Sequence, residues 1–166
     1  MLKRTKRWIG QQVQEFGAEG MALEIGSNSV SGGIVSLFPN YIGIDLQEGN
    51  NVNIVMDAYD ISKRFKHESF DIVLCLYVLE HVPDIKGILK QVDYVLKKGG
   101  YFYVSVPLFG YPAHSYSGEE SKDYWRFSEE AISEFVMKGY KIVASELGRG
   151  NRPGAGPVID CLGRKL

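Results

Sequence analysis

The sequence predicts a single α/β domain, in which a doubly wound and mostly parallel sheet lies between two layers of helices. Short apolar runs alternate along the chain with segments that place apolar residues at helical spacing. One run, residues 70–76, is almost continuously apolar, which is typical of a central parallel strand covered on both faces. A chain of 166 residues is long enough for one domain with a sizeable core.

Composition and charge exclude several classes of protein. The net charge of −1 favours neither nucleic acid nor an anionic membrane as a partner, and no apolar run approaches the length of a membrane span. No signal-peptide core follows the basic start. The only two cysteines, Cys75 and Cys161, lack metal-ligand spacing and indicate reduced thiols. We therefore expect a cytoplasmic protein without a metal site.

The chain begins with a predicted amphipathic helix within residues 1–20. Basic residues are followed by an apolar stripe at helical spacing, made of Trp8, Ile9, Val13 and Phe16. This pattern predicts a helix that packs on the edge of the sheet and leaves its basic end in solvent. A contact with a membrane surface or an acidic polymer is the alternative.

The next stretch has the order strand, glycine-rich turn, helix, strand. Residues 22–25 form a short apolar run that Gly26 closes, and apolar residues within 34–38 predict a helix. Residues 41–44 predict the second strand, with Asp45 at its carboxyl end. In such a unit the strand ends and the helix N-terminus face one crevice, where open α/β sheets bind ligands.

The chemistry of this crevice narrows the choice of ligand. A dinucleotide site needs the pattern G-x-G-x-x-G, which is missing after Gly26, and the carboxylate of Glu24 would repel a pyrophosphate. Asp45 is placed to accept hydrogen bonds from ribose hydroxyls. A ligand that joins a ribose to positive charges suits both acids, and S-adenosylmethionine is such a ligand. The alternative is an ordinary βαβ unit that carries an acid there by chance.

The middle of the chain continues the alternation of strands and helices. A helical turn is predicted at residues 61–65, and further strands at residues 52–56, 70–76 and 101–106. The helix before the last of these strands begins after Pro83. Lys97 and Lys98 are expected in its last turn, where they complement the helix dipole, and Gly99 is expected to end it.

A long segment without a regular period, residues 108–127, follows the fifth strand. A loop of this length in a compact domain is usually functional, so we expect it to enclose the substrate. Ser128 is placed as the N-cap of the next helix. The predicted buried face of that helix consists of Ile132, Phe135 and Val136.

The C-terminal part contains one clear strand and one ambiguous segment. Residues 140–144 predict a sixth strand. Residues 148–157 are rich in glycine and proline and predict a turn or hinge. Residues 158–162 form either a short last strand or a tail, and the sequence leaves both open.

Five segments in this order resemble the class I S-adenosylmethionine-dependent methyltransferases. They are E-I-G-S-N at 24–28, G-I-D at 43–45, M-D-A at 56–58, F-D-I-V-L-C-L-Y-V-L-E-H-V-P-D at 70–84 and L-K-K-G-G-Y-F-Y-V-S-V-P at 96–107. The last two segments carry the more specific motifs. The resemblance implies a Rossmann-like fold with the cofactor domain at residues 21–147, followed by a hinge and terminal segment at 148–166.

A second, narrower resemblance lies in the long loop. P-L-F-G-Y-P-A-H and D-Y-W-R-F-S resemble a bacterial subgroup of small methyltransferases, some of which are associated with surface-polysaccharide biosynthesis. This resemblance implies a saccharide or a saccharide-linked intermediate as the methyl acceptor.

The class resemblance implies cofactor contacts for three groups of matching positions. The group at the amino-acid end is Glu24, Gly26, Ser27 and Asn28. The group at the ribose and adenine is Asp45, Leu46, Asp57 and Ala58. The group under the methionine moiety is Cys75, Leu76 and Tyr77. Asn28 and Val30 stand where the class usually has glycine, which puts the geometry of this loop in question.

Methyl transfer needs a donor and a nucleophile held in line, and a hydroxyl nucleophile also needs a base. His114, in the long loop, is the candidate base, and a structural loop residue is the alternative. Tyr124 and Arg126 are candidate substrate contacts. Asp123 and Arg126 equally predict a pair that holds the loop. Trp125 is expected to fill the core, and stacking on a sugar or base is the alternative.

These residues predict a methyltransferase that uses S-adenosylmethionine to methylate a small-molecule or saccharide-linked acceptor, on oxygen rather than nitrogen or carbon. His81 is expected to be structural or close to the cofactor. A non-catalytic S-adenosylmethionine-binding protein, or a subunit that needs a partner to complete its site, is the alternative, and a homodimer is compatible with either. A nicotinamide oxidoreductase is disfavoured by Glu24 and the missing glycine pattern.

Overall fold

The computed structural model describes residues 3–17, 20–28, 33–114, 122–150 and 155–166. A seven-stranded sheet forms its centre. The strands are β1 Met21–Ile25, β2 Asn40–Asp45, β3 Ile54–Val55, β4 Phe70–Leu76, β5 Leu96–Pro107, β6 Tyr140–Arg149 and β7 Pro157–Lys165. Their order is β3-β2-β1-β4-β5-β7-β6, with β7 antiparallel to both neighbours and the other pairs parallel. The predicted mostly parallel α/β sheet is thereby confirmed.

Four helices accompany the strands in the described ranges. They are α1 Lys3–Phe16, α2 Ile61–Arg64, α3 Ile85–Val95 and a π-helix at Ala131–Val136. Single 3-10 turns lie at Val35–Leu37, Ala58–Asp60 and Leu79–His81. Within the described ranges, no helix combines the length and the apolar character that crossing a membrane requires.

The core has two halves, one on each face of the sheet, because successive side chains of a strand point to opposite faces. Ile72, Leu74 and Leu76 of β4 pack with Trp8 and Ile9 of α1. The alternate residues of β4 and β5 pack on the other face with α3 and the π-helix, namely Val73, Cys75, Phe102, Val104, Ile88, Val92, Ile132 and Val136. Burial of both faces of β4 explains why its sequence is almost continuously apolar.

The end of α3 differs from the prediction. The helix stops at Val95, and Lys97, Lys98 and Gly99 already belong to β5. Gly99 has a φ of +75°, and the register between β4 and β5 shifts at this point, so the glycine forms an irregularity inside the strand. The last turn of α3 is capped from β7, where the Nζ of Lys165 donates to the carbonyls of Asp93 and Leu96 at 2.5 and 2.9 Å.

Two other helix predictions need correction. The described part of residues 34–38 holds only the 3-10 turn Val35–Leu37, although Ile34 and Phe38 are buried as expected. Phe135 is 38% exposed, whereas Ile132 is buried. The wider π-helical turn, in which the Met137 N–H donates to the Ile132 carbonyl at 2.8 Å, changes which side chains face the sheet.

The C-terminal segment is a full strand of the sheet. β7 spans Pro157–Lys165 and pairs with β5 on one side and β6 on the other, so the sheet extends beyond residue 147. β6 is also longer than predicted and reaches Arg149. Antiparallel insertion of β7 buries Asp160, which stands among apolar neighbours. The fold thus places a charged side chain in its interior, close to the site described next.

Candidate active site

A tight turn after β1 begins the site. Gly26 has a φ of +75°, and its N–H donates to the carbonyl of Ile44 at 2.9 Å. A Cβ atom at this position would lie 2.3 Å from Cγ2 of Val78, in the corner after β4. Both the backbone angle and the close contact therefore require glycine. Val30, which departs from the class pattern further along this loop, lies outside the described residues.

Asp45, at the end of β2, holds the neighbouring loop. Its Oδ2 accepts a hydrogen bond from the N–H of Asn28 at 3.1 Å, and its Oδ1 accepts one from the N–H of Gln47 at 3.3 Å. Beside it, the Leu46 side chain is 69% exposed. An acid at a strand end with an exposed apolar neighbour can hold a ribose and lie under a base.

Glu24 is a buried carboxylate on β1. Only 3% of the residue is exposed, and the hydroxyl of Tyr41 on β2 donates a hydrogen bond to it. Burial raises the pKa of Glu24 to about 7, and the charge of Asp45 acts in the same direction. A buried acid of this kind favours a cationic ligand, since a positive charge would offset its lost hydration.

Asp57 and Ala58 lie where β3 ends. Asp57 is exposed and caps the turn Ala58–Asp60, with its Oδ1 accepting from the N–H of Tyr59 at 2.9 Å. This bond fixes the carboxylate at the third strand end, next to Asp45 across the sheet edge. The structure therefore brings Asp45 and Asp57, both predicted cofactor residues, to neighbouring strand ends.

The corner after β4 is strained. Cys75 and Leu76 are buried, and Tyr77 has a φ of +59°, which costs a residue with a side chain about 1 kcal/mol. The N–H of Tyr77 donates to the carbonyl of Ser105 at 2.8 Å. Burial raises the pKa of both the Cys75 thiol and the Tyr77 hydroxyl, so both groups stay neutral.

A buried polar network behind this corner was not predicted from the sequence. The Tyr77 hydroxyl shares a hydrogen bond of 3.0 Å with Oγ1 of Thr5, which in turn donates to Asp160 at 3.1 Å. Asp160 also accepts a hydrogen bond from the hydroxyl of Ser105 and forms an ion pair with Arg4, each at 2.5 Å. The first turn of α1 is therefore tied to the corner, and Arg4 is an internal ion-pair partner rather than part of a solvated basic end.

Arg126 holds the described part of the long loop. Its guanidinium forms two contacts of 2.5 Å with the carboxylate of Asp123 and donates to the carbonyls of Tyr111, Pro112 and Trp125. The hydrogen bonds that Arg126 donates, together with its charge, lower the pKa of Asp123 to about 2. Of the two sequence interpretations of Arg126, this geometry is that of the loop-holding pair.

The aromatic residues of this segment remain near the surface. Trp125 is 42% exposed, so the prediction that it fills the core is wrong, and its Nε1–H donates to the carbonyl of Val82 at 2.8 Å. Tyr124 is 45% exposed, and its N–H donates to the carbonyl of Glu80 at 2.7 Å. The loop is thus attached to the turn Leu79–His81 through backbone and side-chain bonds.

His114 lies in a cluster with Glu80 and His81. The two imidazole rings are 5.1 Å apart between centroids, and each Nε2 lies 4.0 Å from Oε1 of Glu80. Glu80 is fully buried, and burial raises its pKa to about 8. Burial lowers the pKa of His114, which keeps this imidazole neutral at pH 7. Asp123 lies behind it, with Oδ2 at 3.3 Å from Nδ1 of His114.

Sequence reasoning reached this cluster only in part. The sequence predicts His114 as a functional residue and His81 as structural or close to the cofactor, whereas it does not single out Glu80. The sequence feature that could have indicated this cluster is the segment L-E-H shortly after a central strand, where Glu80 and His81 follow an apolar run. Its meaning depends on His114, which the fold brings to it from a separate loop.

Comparison with known proteins identifies the class. The family model of the methyltransferase domain matches residues 23–104, about half of the chain. A ubiquinone biosynthesis O-methyltransferase of Idiomarina loihiensis is 38% identical over 60 residues, which are 36% of this chain and 25% of that protein. The same enzyme of Vibrio atlanticus is 24% identical over 118 residues, 63% of this chain and 47% of that protein. The chain thus spans between a quarter and about half of these relatives.

Solved structures share the whole fold. A 1,6-didemethyltoxoflavin-N1-methyltransferase of Burkholderia thailandensis, which holds S-adenosylhomocysteine, has a TM-score of 0.75 at 20% identity, covering 98% of this chain and 78% of its own. An S-adenosylmethionine-dependent methyltransferase of Methanosarcina mazei has a TM-score of 0.67 at 18% identity, with 90% and 93% covered.

The matched domain and the strand order define the chain as a member of the class I S-adenosylmethionine-dependent methyltransferases. The resemblance predicted from five sequence segments is confirmed, and so is the cofactor that it implied. The positions of Glu24, Gly26 and Asp45 around one crevice are compatible with that cofactor, because they offer a buried acid, a tight backbone turn and an acid at a strand end.

Proposed function

We propose that this protein transfers a methyl group from S-adenosylmethionine to a hydroxyl oxygen of a small-molecule or saccharide-linked acceptor. The observation that carries the proposal is the corner after β4, which joins two sets of residues. Val78 contacts the cofactor turn at Gly26, while Glu80 and His81 face His114. A cofactor set and a proton-accepting set therefore lie on the two sides of one short segment.

The proposed cofactor contacts use the acids at the strand ends. Glu24 is to hold the positive end of the amino-acid moiety, and Asp45 is to accept from the ribose hydroxyls. Asn28 and Ser27 are proposed to line the turn. The residues proposed for the adenine side are Leu46, Asp57 and Ala58. Those proposed for the methionine side are Cys75, Leu76 and Tyr77. When bound, S-adenosylmethionine supplies an electrophilic methyl group that needs no further activation.

The acceptor side supplies a base. A neutral His114 can take the proton of an acceptor hydroxyl on Nε2, since Asp123 lies at its Nδ1 and can stabilise the imidazolium that forms. The oxygen is then a better nucleophile, and the residues of the crevice need only hold it in line with the methyl carbon. The relatives that match part of this chain are named O-methyltransferases, which supports oxygen as the acceptor atom.

The proposal also covers the type of acceptor and the cellular compartment. The exposed rings of Tyr124 and Trp125 beside the cluster suit a flat or saccharide acceptor, which would pack on them. Cys75 and Cys161 are buried free thiols, which fits the cytoplasm. The narrower resemblance of the loop favours a saccharide-linked acceptor over a free small molecule.

The proposal is tested by calorimetric titration of the purified chain with S-adenosylmethionine, S-adenosylhomocysteine and NADH. We expect micromolar binding of the first two and none of NADH. A methyl-transfer assay with a panel of catechols and hydroxylated saccharides follows, because the acceptor is unknown. Tight cofactor binding without transfer to any acceptor would favour the non-catalytic protein or partner-dependent subunit, and NADH binding would overturn the cofactor assignment.

A further inference from the structure

We propose that Glu80, His81 and His114 form a binding site for a divalent cation of the zinc class. Together they offer two imidazole nitrogens and one carboxylate oxygen, and these ligand atoms all lie within 4.8 Å of one another. Two histidines and a glutamate are a known ligand set for catalytic zinc, which keeps further coordination positions open. The site belongs to the acceptor side of the crevice and lies outside the proposed cofactor contacts.

The histidines are already oriented as metal ligands. Nδ1 of His81 lies 2.8 Å from the carbonyl oxygen of Lys122, which can only accept, so this nitrogen carries the proton. Nδ1 of His114 faces Oδ2 of Asp123 at 3.3 Å. Nε2 of His81 consequently presents a lone pair, and Nε2 of each histidine lies 4.0 Å from Oε1 of Glu80. Nδ1 of His114 forms no hydrogen bond with a described residue, so Asp123 acts on this ring only through its charge. Carbonyl and carboxylate partners behind the ligating histidines are typical of metal sites.

Glu80 supplies the independent evidence for a ligand. The residue is 0% exposed, and neither carboxylate oxygen receives a hydrogen bond from another residue in the described ranges. A buried carboxylate without a donor is costly unless a cation or a proton compensates it. The cation beside it, Arg126, is already held by Asp123 and three backbone carbonyls. The cluster therefore contains a buried carboxylate that only a proton or a bound cation would neutralise.

The donor atoms select the type of cation. Imidazole nitrogen favours zinc, cobalt and related transition ions, whereas magnesium prefers a shell of oxygen ligands and keeps most of its water. An open coordination position could take the hydroxyl oxygen of the acceptor and increase its acidity. This role rests on the proposed function. In the cation-bound protein His114 is a ligand, and the cation replaces it as the group that activates the hydroxyl.

The site can be tested without any acceptor. The full chain is treated with a chelator and titrated with Zn²⁺ by calorimetry and with Co²⁺ by visible absorption. We expect one equivalent to bind at micromolar concentration or tighter, with the absorption bands of a four- or five-coordinate cobalt ion. Mg²⁺ should bind at least tenfold more weakly; equal binding of Mg²⁺ would overturn the assignment to the zinc class.

Four variants locate the binding. His81→Ala, His114→Ala and the near-isosteric Glu80→Gln should each weaken Zn²⁺ binding by about 10- to 100-fold. His67→Ala is the matched control, because His67 is exposed and outside the cluster. Circular dichroism establishes that each variant is folded. Absence of binding in the wild type, or equal affinity in the cluster variants and the control, would refute the site.

Titration of the same samples with S-adenosylmethionine separates this proposal from the proposed function. If the cluster variants lose Zn²⁺ binding while their affinity for S-adenosylmethionine stays unchanged, the cation site is separate from the cofactor site. A wild-type protein that binds Zn²⁺ but not S-adenosylmethionine would contradict the proposed function and leave the cation site standing. The reverse result would contradict the cation site alone.

Discussion

The two sides of the crevice each contain one buried carboxylate, and the two are satisfied differently. Glu24, on the cofactor side, accepts a hydrogen bond from Tyr41 on the adjacent strand. Glu80, on the acceptor side, receives none from another described residue and faces two imidazoles. Burial raises the pKa of the Cys75 thiol, and the two nearby carboxylates act in the same direction. One short segment after β4 thus separates two acidic sites of different chemistry.

The difference follows from how each side is built. The cofactor side consists of turns at the ends of adjacent parallel strands, where sheet topology alone brings Gly26, Asp45 and Asp57 together. The acceptor side depends on side chains in irregular segments, held by Asp123 and Arg126. We therefore expect substitutions on the two sides to have separable effects, one on cofactor affinity and the other on turnover.

The largest effect is expected from His114→Ala. Turnover should fall by about 100- to 10,000-fold, the usual contribution of a positioned acid–base group, while affinity for S-adenosylmethionine stays unchanged. Single-turnover methyl transfer and calorimetry on the same preparation measure both quantities. His67→Ala provides the control, and full activity of the His114 variant would remove this residue from the reaction.

A roughly 100-fold loss of S-adenosylmethionine affinity is expected from Asp45→Ala, because two hydrogen bonds to a charged group are removed. Calorimetric titration measures the change. Glu48→Ala is the matched control, since Glu48 is an exposed acid in the same loop. Unchanged affinity in the Asp45 variant would contradict the assignment of the cofactor side.

A smaller effect tests the connection between α1 and the crevice. Arg4→Met should lower the free energy of unfolding by about 2 kcal/mol, because Asp160 keeps its hydroxyl donors but loses its cation. Urea denaturation measures the difference. Arg7→Met, at an exposed position of the same helix, should change little. Equal effects of the two substitutions would mean that the buried ion pair contributes no stability.

The smallest effect is a pH dependence of cofactor affinity. Burial raises the pKa of Glu24 to about 7, so the carboxylate ionises as the pH rises and its attraction for a cationic ligand increases. Tyr41 stays neutral because burial raises its own pKa, and the nearby Asp45 acts together with burial to raise the pKa of Glu24. From the ionised fraction, affinity should rise about fivefold between pH 6 and 7. A parallel titration of Glu24→Gln should lack this rise.

The same pKa shift has the opposite consequence for the free protein. Glu24 binds its proton more tightly in the folded state than in the unfolded state, where its pKa is 4.5. The resulting stabilisation is fully present below pH 4.5 and is lost as the pH rises through about 7. Urea denaturation at pH 5 and pH 8 should show this loss, and Glu24→Gln should reduce it. No difference between the variant and the wild type would contradict a buried, protonated Glu24.

Much of the framework was predictable from the sequence because its signals are local. The apolar run of β4, the turn at Gly26 and the acid at Asp45 each lie within a few residues of the element that explains them. The class resemblance rests on such segments. Prediction was weaker where an element depends on a side chain from a distant part of the chain. For example, Lys165 of β7 caps α3, rather than Lys97 or Lys98.

The parts that sequence reasoning missed depend on long-range partners. The sequence alone gives no reason for a charged Asp160 in an apolar run. In the folded sheet, Arg4, Thr5 and Ser105 bind its carboxylate. Glu80 likewise gains its meaning only when the loop carries His114 to it. No periodic pattern marks such contacts, because their members are far apart in sequence and lie in different elements.

The most direct test of the separation between the two sides is one calorimetric comparison of S-adenosylmethionine binding to the wild type, Asp45→Ala and His114→Ala. We expect micromolar binding to the wild type, a roughly 100-fold loss in the Asp45 variant and no change in the His114 variant. Equal loss in both variants would mean that the crevice is a single coupled site. No binding to the wild type would contradict the cofactor site itself.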